Sequence, residues 1–289
     1  MDSDKVRGYP IDLRAKAHSS APSVLEGPLF GSHYVVVAQY GLGCYERWLA
    51  GDGEAWLGAA LRAGDYLRQR QQLDGSWLNP VPLGHTFPLK AHWRCGMAQG
   101  ESASLLVRLY LETGNSEFAN AALLALAPLY RPTSEGGVCA LLDGAPWPEE
   151  YPTATPSHVL NGAIFAWWGM RDVAVGLSDL TARAAFDEGV RTLAANLHRF
   201  DTGGWSLYCL YPHPVRPISS MFYHRLHINQ LTAMNALAPC EKFASMRDRW
   251  ADYFESASLR RQANARKVMY RLVVPRNRLL GLRLPWTRS

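Results

Sequence analysis

The chain has 289 residues, 48% of them hydrophobic and 11% aromatic, enough apolar material to build a sizeable core and to exclude general disorder. Its net charge of +5 is unevenly spread: residues 256–289 hold nine Lys or Arg and no Asp or Glu, while the remainder carries 21 basic and 25 acidic residues. The basic character therefore belongs to the C-terminal end, as a contact for a polyanion or an anionic surface or as a solvated terminus, and not to the body.

In chain order, residues 1–30 read as an irregular lead-in. The segment 1–21 is polar and contains Pro and charge, so it lacks the apolar stretch of a signal peptide. No apolar run reaches about 18 residues, the length a spanning helix needs. Helical patterns follow at 34–49, 54–71, 96–113, 116–129, 157–175, 179–198, 224–237 and 241–257, separated by loops rich in Gly, Pro and Asp. In the third of them Ala98, Ser102, Leu105, Leu106 and Leu109 fall on one side at three- and four-residue spacing. Two stretches, 138–142 and 207–210, alternate as short hairpin arms do. Five cysteines (Cys44, Cys95, Cys139, Cys209 and Cys240) are scattered and lack CxxC spacing, which argues against a disulfide scaffold or a structural zinc site and for a reducing compartment.

One internal echo bears on the fold. The second helix runs into Leu73-Asp74-Gly75-Ser76-Trp77, and the sixth into Asp201-Thr202-Gly203-Gly204-Trp205. Each reads as a helix that ends in an Asp/Gly turn and then presents a Trp. Paired helices with this recurrence predict an all-α chain: an α/α toroid of about four helical hairpins, in effect an incomplete α/α barrel, with a few short β-hairpin arms; a plain irregular helical bundle is the alternative. The toroid would occupy 31–257 and the basic tail 258–289.

Three polar-aromatic clusters could carry chemistry. The first, Trp147-Pro148-Glu149-Glu150-Tyr151-Pro152, is held extended by its prolines before a helix for which Ser157 is the expected N-cap. Paired Glu with Tyr in such a loop suits acid/base work, or an ordinary acidic loop. The second is Gly203-Gly204-Trp205-Ser206-Leu207-Tyr208. In the third, Tyr223, His227 and Gln230 share one helical face by their i, i+4, i+7 spacing. His224 and His227 without a neighbouring carboxylate make a weak metal signal, and no metal is expected. No GxGxxG or P-loop pattern follows a strand, so no nucleotide or redox cofactor is expected.

Glu149-Glu150-Tyr151-Pro152-Thr153, Val159-Leu160-Asn161-Gly162 and Tyr223-His224-Arg225-Leu226-His227-Ile228-Asn229-Gln230-Leu231 together resemble the D-glucuronyl C5-epimerase family, the catalytic domain of the heparan sulfate and heparosan epimerases. Ala38-Gln39-Tyr40-Gly41-Leu42, Met97-Ala98-Gln99-Gly100 and Tyr208 after its Gly-rich turn agree in the same order, so the resemblance covers about Tyr34 to Phe254. It implies inversion at C5 of a hexuronic acid by two-base proton transfer, with Glu150, Tyr208 and Tyr223 as catalytic groups and Tyr151 beside them. Glu150 and Tyr223 would be the opposed pair, and Tyr208 would hold the substrate carboxylate or exchange roles with Tyr223.

Where animal members carry Asp-Leu-Arg-His after the second tyrosine, this chain has Cys209-Leu210-Tyr211-Pro212. The arginine expected near the substrate carboxylate is thus displaced, and Arg94, Arg216 and Arg225 are candidates to replace it. Trp77, Trp93 and Trp205 are candidate stacking platforms for sugar rings, and Gln99, Asn161, His227 and Asn229 candidate hydrogen-bonding groups; core packing and helix capping are the alternatives. A lyase or glycoside hydrolase on the same toroid, the latter with Asp143 or Asp201 as second carboxylate, and a non-catalytic glycan-binding protein are the competing classes. The expected partner is a glucuronate-containing polymer or lipid-linked glycan and not nucleic acid; the expected location is the cytoplasm. The basic tail would hold the protein at a membrane, guide an acidic glycan or join a homodimer interface.

Overall fold

Apolar stripes at helical spacing must be covered, and pairing them across short turns yields helical hairpins. A computed structural model of the chain, which describes residues 6–17, 33–83 and 86–275, arranges four such hairpins in sequence. Helix α1 (Tyr34–Leu49) folds on α2 (Glu54–Arg70). α3 (Gly96–Thr113) folds on α4 (Ser116–Ala125), which the single turn α5 (Ala127–Tyr130) continues. A two-stranded hairpin, β1 (Cys139–Leu142) and β2 (Ala145–Pro148), leads to α6 (Leu160–Gly176), which packs on α7 (Leu180–Asn196). Last come α8 (Met221–Leu237) against α9 (Glu241–Glu255), and then α10 (Ala257–Val273) against both.

The first helix of each pair also packs on the first helix of the next: α1 on α3, α3 on α6, α6 on α8. These form the inner layer and α2, α4, α7 and α9 the outer one, so the chain is all-α with the α/α toroid arrangement that the sequence predicts. Burial follows the layers. Every residue of α3 from Gly96 to Leu109 and of α6 from Leu160 to Ala174 is buried, whereas outer α7 buries a stripe through Ala182, Phe186, Gly189 and Leu193. The α3 and α6 backbones approach so closely that a Cβ on Gly100 would strike Ala166 and one on Gly169 would strike Gly100.

A buried charge cluster pins the same two helices. Arg108 pairs with Asp172 at 2.6 Å, both side chains fully buried, and Arg171 reaches the other Asp172 oxygen at 3.0 Å. Arg108 also donates to the carbonyls of Arg7 and Gly8, each at 3.0 Å. The described part of the lead-in, 6–17, is therefore fastened to the core, with Tyr9 and Leu13 buried. Residues 1–5 and 18–30 of the lead-in lie outside the described residues.

Several expectations need correction. The helix expected at 116–129 breaks at Leu126, because Pro128 enters the first turn of α5. The helix expected from 157 begins at Leu160, and Ser157 does not cap it. The helix expected from 224 begins at Met221, because Ser220 accepts the Tyr223 N–H. Stretch 207–210 forms no strand beyond one bridge between Leu207 and Ile218. The largest departure is α10, which forms within the stretch expected as a basic tail. Ser256 caps it, and Leu259, Ala263, Lys267, Tyr270 and Val274 turn inward at three- and four-residue spacing. The rest of that tail, 276–289, lies outside the described residues. Among the described residues, no helix is long and apolar enough to cross a membrane.

Candidate active site

Two adjacent glutamates follow β2, and the fold gives them different environments. The Glu149 carboxylate accepts the backbone N–H groups of Ser157 and His158, each at 2.9 Å, and a short bond from the Ser157 hydroxyl. Its own carbonyl takes the Gly96 N–H at 2.8 Å. Glu149 therefore ties the loop 149–158 closed and ties it to the start of α3. This clamp is why Ser157 is not the helix cap: its hydroxyl is already used.

Glu150 points the other way, into a cavity. The Asn161 side-chain amide lies 3.5 Å away, and the hydroxyls of Tyr151 and Tyr208 hydrogen-bond to its carboxylate. The approach to α6 depends on glycine, since a Cβ on Gly162 would sit 2.6 Å from the Glu150 Oε2. Burial pushes the Glu150 carboxyl up to about 7, further raised by Glu149 and opposed by the bonds from Tyr151, Tyr208 and Asn161. At neutral pH it is thus poised between its acid and base forms, the range in which a general base works best. Burial, with Glu150 nearby, drives the Tyr151 and Tyr208 hydroxyls well above the usual tyrosine value, so both are proton donors.

The tyrosines are placed by three separate elements. Tyr151 stacks on Phe87 with ring centres 4.5 Å apart and lies 5.7 Å from Trp93. Tyr208 is held by backbone bonds on both sides: its N–H to the Pro217 carbonyl at 2.8 Å and its carbonyl from the Leu160 N–H at 3.1 Å. Tyr223 stands in the first turn of α8, edge-on to Tyr208 at 4.8 Å between ring centres. Tyr151 and Tyr223 border two cavities. The larger, about 610 Å³, holds Glu150, Asn161, Trp93, Arg225 and Asn229. The smaller, about 340 Å³, holds Tyr208 together with Lys267, Tyr270 and Arg271 of α10.

The structure thus gathers Glu150, Tyr151, Tyr208 and Tyr223, with Trp93, Asn161, Arg225 and Asn229 around them. The other candidates fall elsewhere. Trp77 is fully buried and donates its indole N–H to the Leu67 carbonyl at 2.9 Å, so it presents no face to a ring. Trp205 is buried against His224 at 3.8 Å between ring centres. Gln99 satisfies the Gly75 and Ala125 carbonyls at 2.9 and 2.7 Å, which ties α3 to its neighbours. His224 and His227 both meet the Ser206 hydroxyl, at 2.8 and 3.0 Å, inside the packing below α8. Arg94 pairs with Asp74 at 2.9 Å and borders neither cavity. Arg216 is exposed and also borders neither. Among the described residues, no group of three His, Cys, Asp or Glu has metal-binding spacing.

Buried Glu101, whose carboxylate accepts from Gln39 at 3.0 Å, sits behind the site. Burial raises it to about 8, against the pull of Gln39 and Lys16. A carboxyl raised on folding stabilises below its unfolded value and loses that contribution as pH rises through the folded value. Glu149 and Glu150, both near 7, act in the same sense. His213 and His224, each held near 4 by burial, act in the opposite sense, but only as pH falls below about 6.5. Thermal melts should therefore show stability falling between pH 6.5 and 8.5. Glu101→Gln should remove on the order of 2 kcal/mol of that fall, because the amide still accepts from Gln39 and carries no charge to bury. An unchanged pH slope in the variant would contradict this assignment.

A family described as the D-glucuronyl C5-epimerase C-terminus matches residues 75–252. The D-glucuronyl C5-epimerase of Caenorhabditis elegans is 30% identical over 209 residues, which is 66% of this chain and 34% of that protein. An uncharacterized protein of Methanocaldococcus jannaschii is 28% identical over 126 residues, covering 42% of this chain and 41% of its own. The chain thus spans between a third and a half of the length of these curated relatives. Among solved structures, the unsaturated glucuronyl hydrolase of Bacillus sp. GL1 superposes with a TM-score of 0.50 at 16% identity, over 81% of this chain and 62% of that one. That likeness speaks to the toroid fold alone.

Proposed function

This chain belongs to the D-glucuronyl C5-epimerase family, and from that premise we propose that it inverts C5 of a hexuronic acid residue within a glucuronate-containing glycan. One observation carries the reading: a buried carboxyl near pKa 7, Glu150, hydrogen-bonded to two tyrosine hydroxyls at a cavity that Tyr223 also borders. The C5 hydrogen lies next to a carboxylate, so its removal puts a second negative charge beside the first. A base with raised pKa on one face and a neutral donor on the other suit this reaction.

In the proposed cycle Glu150 takes the C5 proton and the C–H electron pair moves into the carboxylate, giving an enediolate dianion. The Tyr223 hydroxyl then delivers a proton to the opposite face of C5. Glu150 has gained one proton and Tyr223 has given up one. The hydroxyls of Tyr151 and Tyr208, bonded to Glu150 and to each other, offer a route for returning it. Trp93 and Asn229 in the larger cavity would contact neighbouring sugars.

A retaining or inverting hydrolase would need a second opposed carboxylate. The two candidates, Asp143 and Asp201, pair instead with Arg199 at 2.7 Å and Arg249 at 3.3 Å and border neither cavity. Incubation with heparosan should yield iduronate residues by NMR and no unsaturated, UV-absorbing product. An unsaturated product would assign a lyase instead.

A further inference from the structure

Helix α10 has two apolar faces, and the fold uses only one of them. Its inner face is fastened: Ala263 joins a buried cluster with Trp205 and Ile218, and Tyr270 is buried as well. On the opposite side Ala265, Val268, Met269 and Leu272 follow one another at i, i+3, i+4 and i+7, the spacing of a continuous helical stripe. Val268, Met269 and Leu272 are 61%, 58% and 61% exposed. Single exposed apolar side chains are ordinary, but several on one face mark a contact. Among the described residues, no other helix exposes three large apolar side chains.

Charge decides what covers the stripe. Arg261 lies one turn before Ala265 on the same face and Arg266 flanks it, both exposed. No Asp or Glu follows Glu255 in the chain. Residues 276–289, which follow the helix, hold four Arg, four Leu and one Trp, the same pairing of basic and apolar groups. A second copy of the chain would set these arginines against each other, with no carboxylate on the helix to answer them. An acidic glycan would satisfy the arginines but offers no apolar surface to Val268, Met269 and Leu272. An anionic lipid surface meets both, with headgroups for the arginines and acyl chains just beneath for the stripe.

We propose that the outer face of α10 docks on an anionic membrane surface, with Val268, Met269 and Leu272 entering the headgroup boundary and Arg261 and Arg266 meeting lipid phosphates. The protein then lies on the membrane through one helix without crossing it. Docking is independent of the chemistry at Glu150 but has a consequence for the substrate. The inner side of α10 borders the smaller cavity, which Tyr208 and Tyr223 also line. Docking holds that cavity one helix diameter, roughly 10 Å, from the surface. A glycan carried on a lipid is thereby presented beside the site.

The test is co-sedimentation of the full chain with vesicles of phosphatidylcholine alone and of equal parts phosphatidylcholine and phosphatidylglycerol. Wild-type protein should bind the anionic vesicles far more tightly than the neutral ones, and binding should weaken as salt rises. Val268→Gln, Met269→Gln and Leu272→Gln combined should cut the apparent affinity at least about tenfold. Arg261→Gln and Arg266→Gln should each cost about fivefold and flatten the salt dependence. Met269→Leu, which keeps the stripe apolar, should bind as wild type does. These side chains face away from the core, so circular dichroism melts of the variants should match wild type. Failure of the wild type to bind anionic vesicles overturns the proposal, as does binding that survives the triple exchange. A dimer in analytical ultracentrifugation that the triple exchange dissolves, without vesicle binding, overturns it in favour of a second copy. Heparosan binding lost on the arginine exchanges, again without vesicle binding, overturns it in favour of an acidic glycan. Vesicle binding by a chain that leaves C5 untouched supports the docking surface and removes only the epimerase reading.

Discussion

Glu150→Gln is expected to lower C5 exchange about 1,000-fold or more, within the range that loss of a positioned general base costs. The amide keeps the shape of the side chain and can still accept from the Tyr151 and Tyr208 hydroxyls, so substrate affinity should change little. Steady-state kinetics would then show the loss in kcat rather than in KM. Wild-type kcat/KM should rise with pH through about 7, as buried Glu150 becomes ionised. The variant should lose that ascending limb together with its activity. Stability provides the internal control: Gln removes a buried charge at alkaline pH, so the variant should melt no lower than wild type at pH 8. A folded variant with more than a tenth of wild-type activity would exclude Glu150 as the base.

Asp172→Ala is expected to produce the largest loss of stability. The Asp172 carboxylate is fully buried between Arg108 at 2.6 Å and Arg171 at 3.0 Å. Removing it takes the counter-charge from the Arg108 guanidinium, which is completely enclosed. Breaking a buried pair in this way costs about 3–5 kcal/mol. For a chain of this size that corresponds to a fall in Tm of roughly 10 °C. The effect should extend beyond α3 and α6, because Arg108 also holds the Arg7 and Gly8 carbonyls. Faster amide exchange in the lead-in should therefore accompany the lower Tm. Replacing the cluster by apolar residues of matched volume is expected to recover most of the stability, since no uncompensated charge remains.

The fold was legible because the inner helices announce themselves twice, by periodic apolar residues and by the small residues that let backbones meet. Gly100 and Gly169 are both visible in the sequence, although only the structure pairs them. The loop at 149–156 was legible for a different reason: its prolines fix an extended backbone that sets paired Glu and Tyr before a helix. Sequence alone does not say which Glu faces the cavity. Glu149 is claimed by the Ser157 and His158 amides, eight and nine residues along the chain, and that clamp uses the same Ser that would otherwise read as a cap.

Aromatic residues were the hardest to place. Trp77, Trp93 and Trp205 all follow turn-rich segments, yet two are sealed in packing and one meets the cavity, because residue type does not encode which side of an inner helix layer a loop reaches. The α10 helix was hidden by its composition. Nine basic residues and no acidic ones suggest a solvated tail, but the Ser256 cap and the stripe from Leu259 to Val274 were present in the sequence. Lys267, a charged residue in the middle of that stripe, masks its apolar periodicity.

The decisive event is the movement of a proton at C5. Wild-type protein incubated with heparosan in D₂O, followed by NMR of the recovered glycan, measures that directly. Deuterium is expected at C5 of both glucuronate and iduronate residues. Folded protein that binds the glycan yet leaves C5 fully protonated, with no iduronate formed, would contradict it.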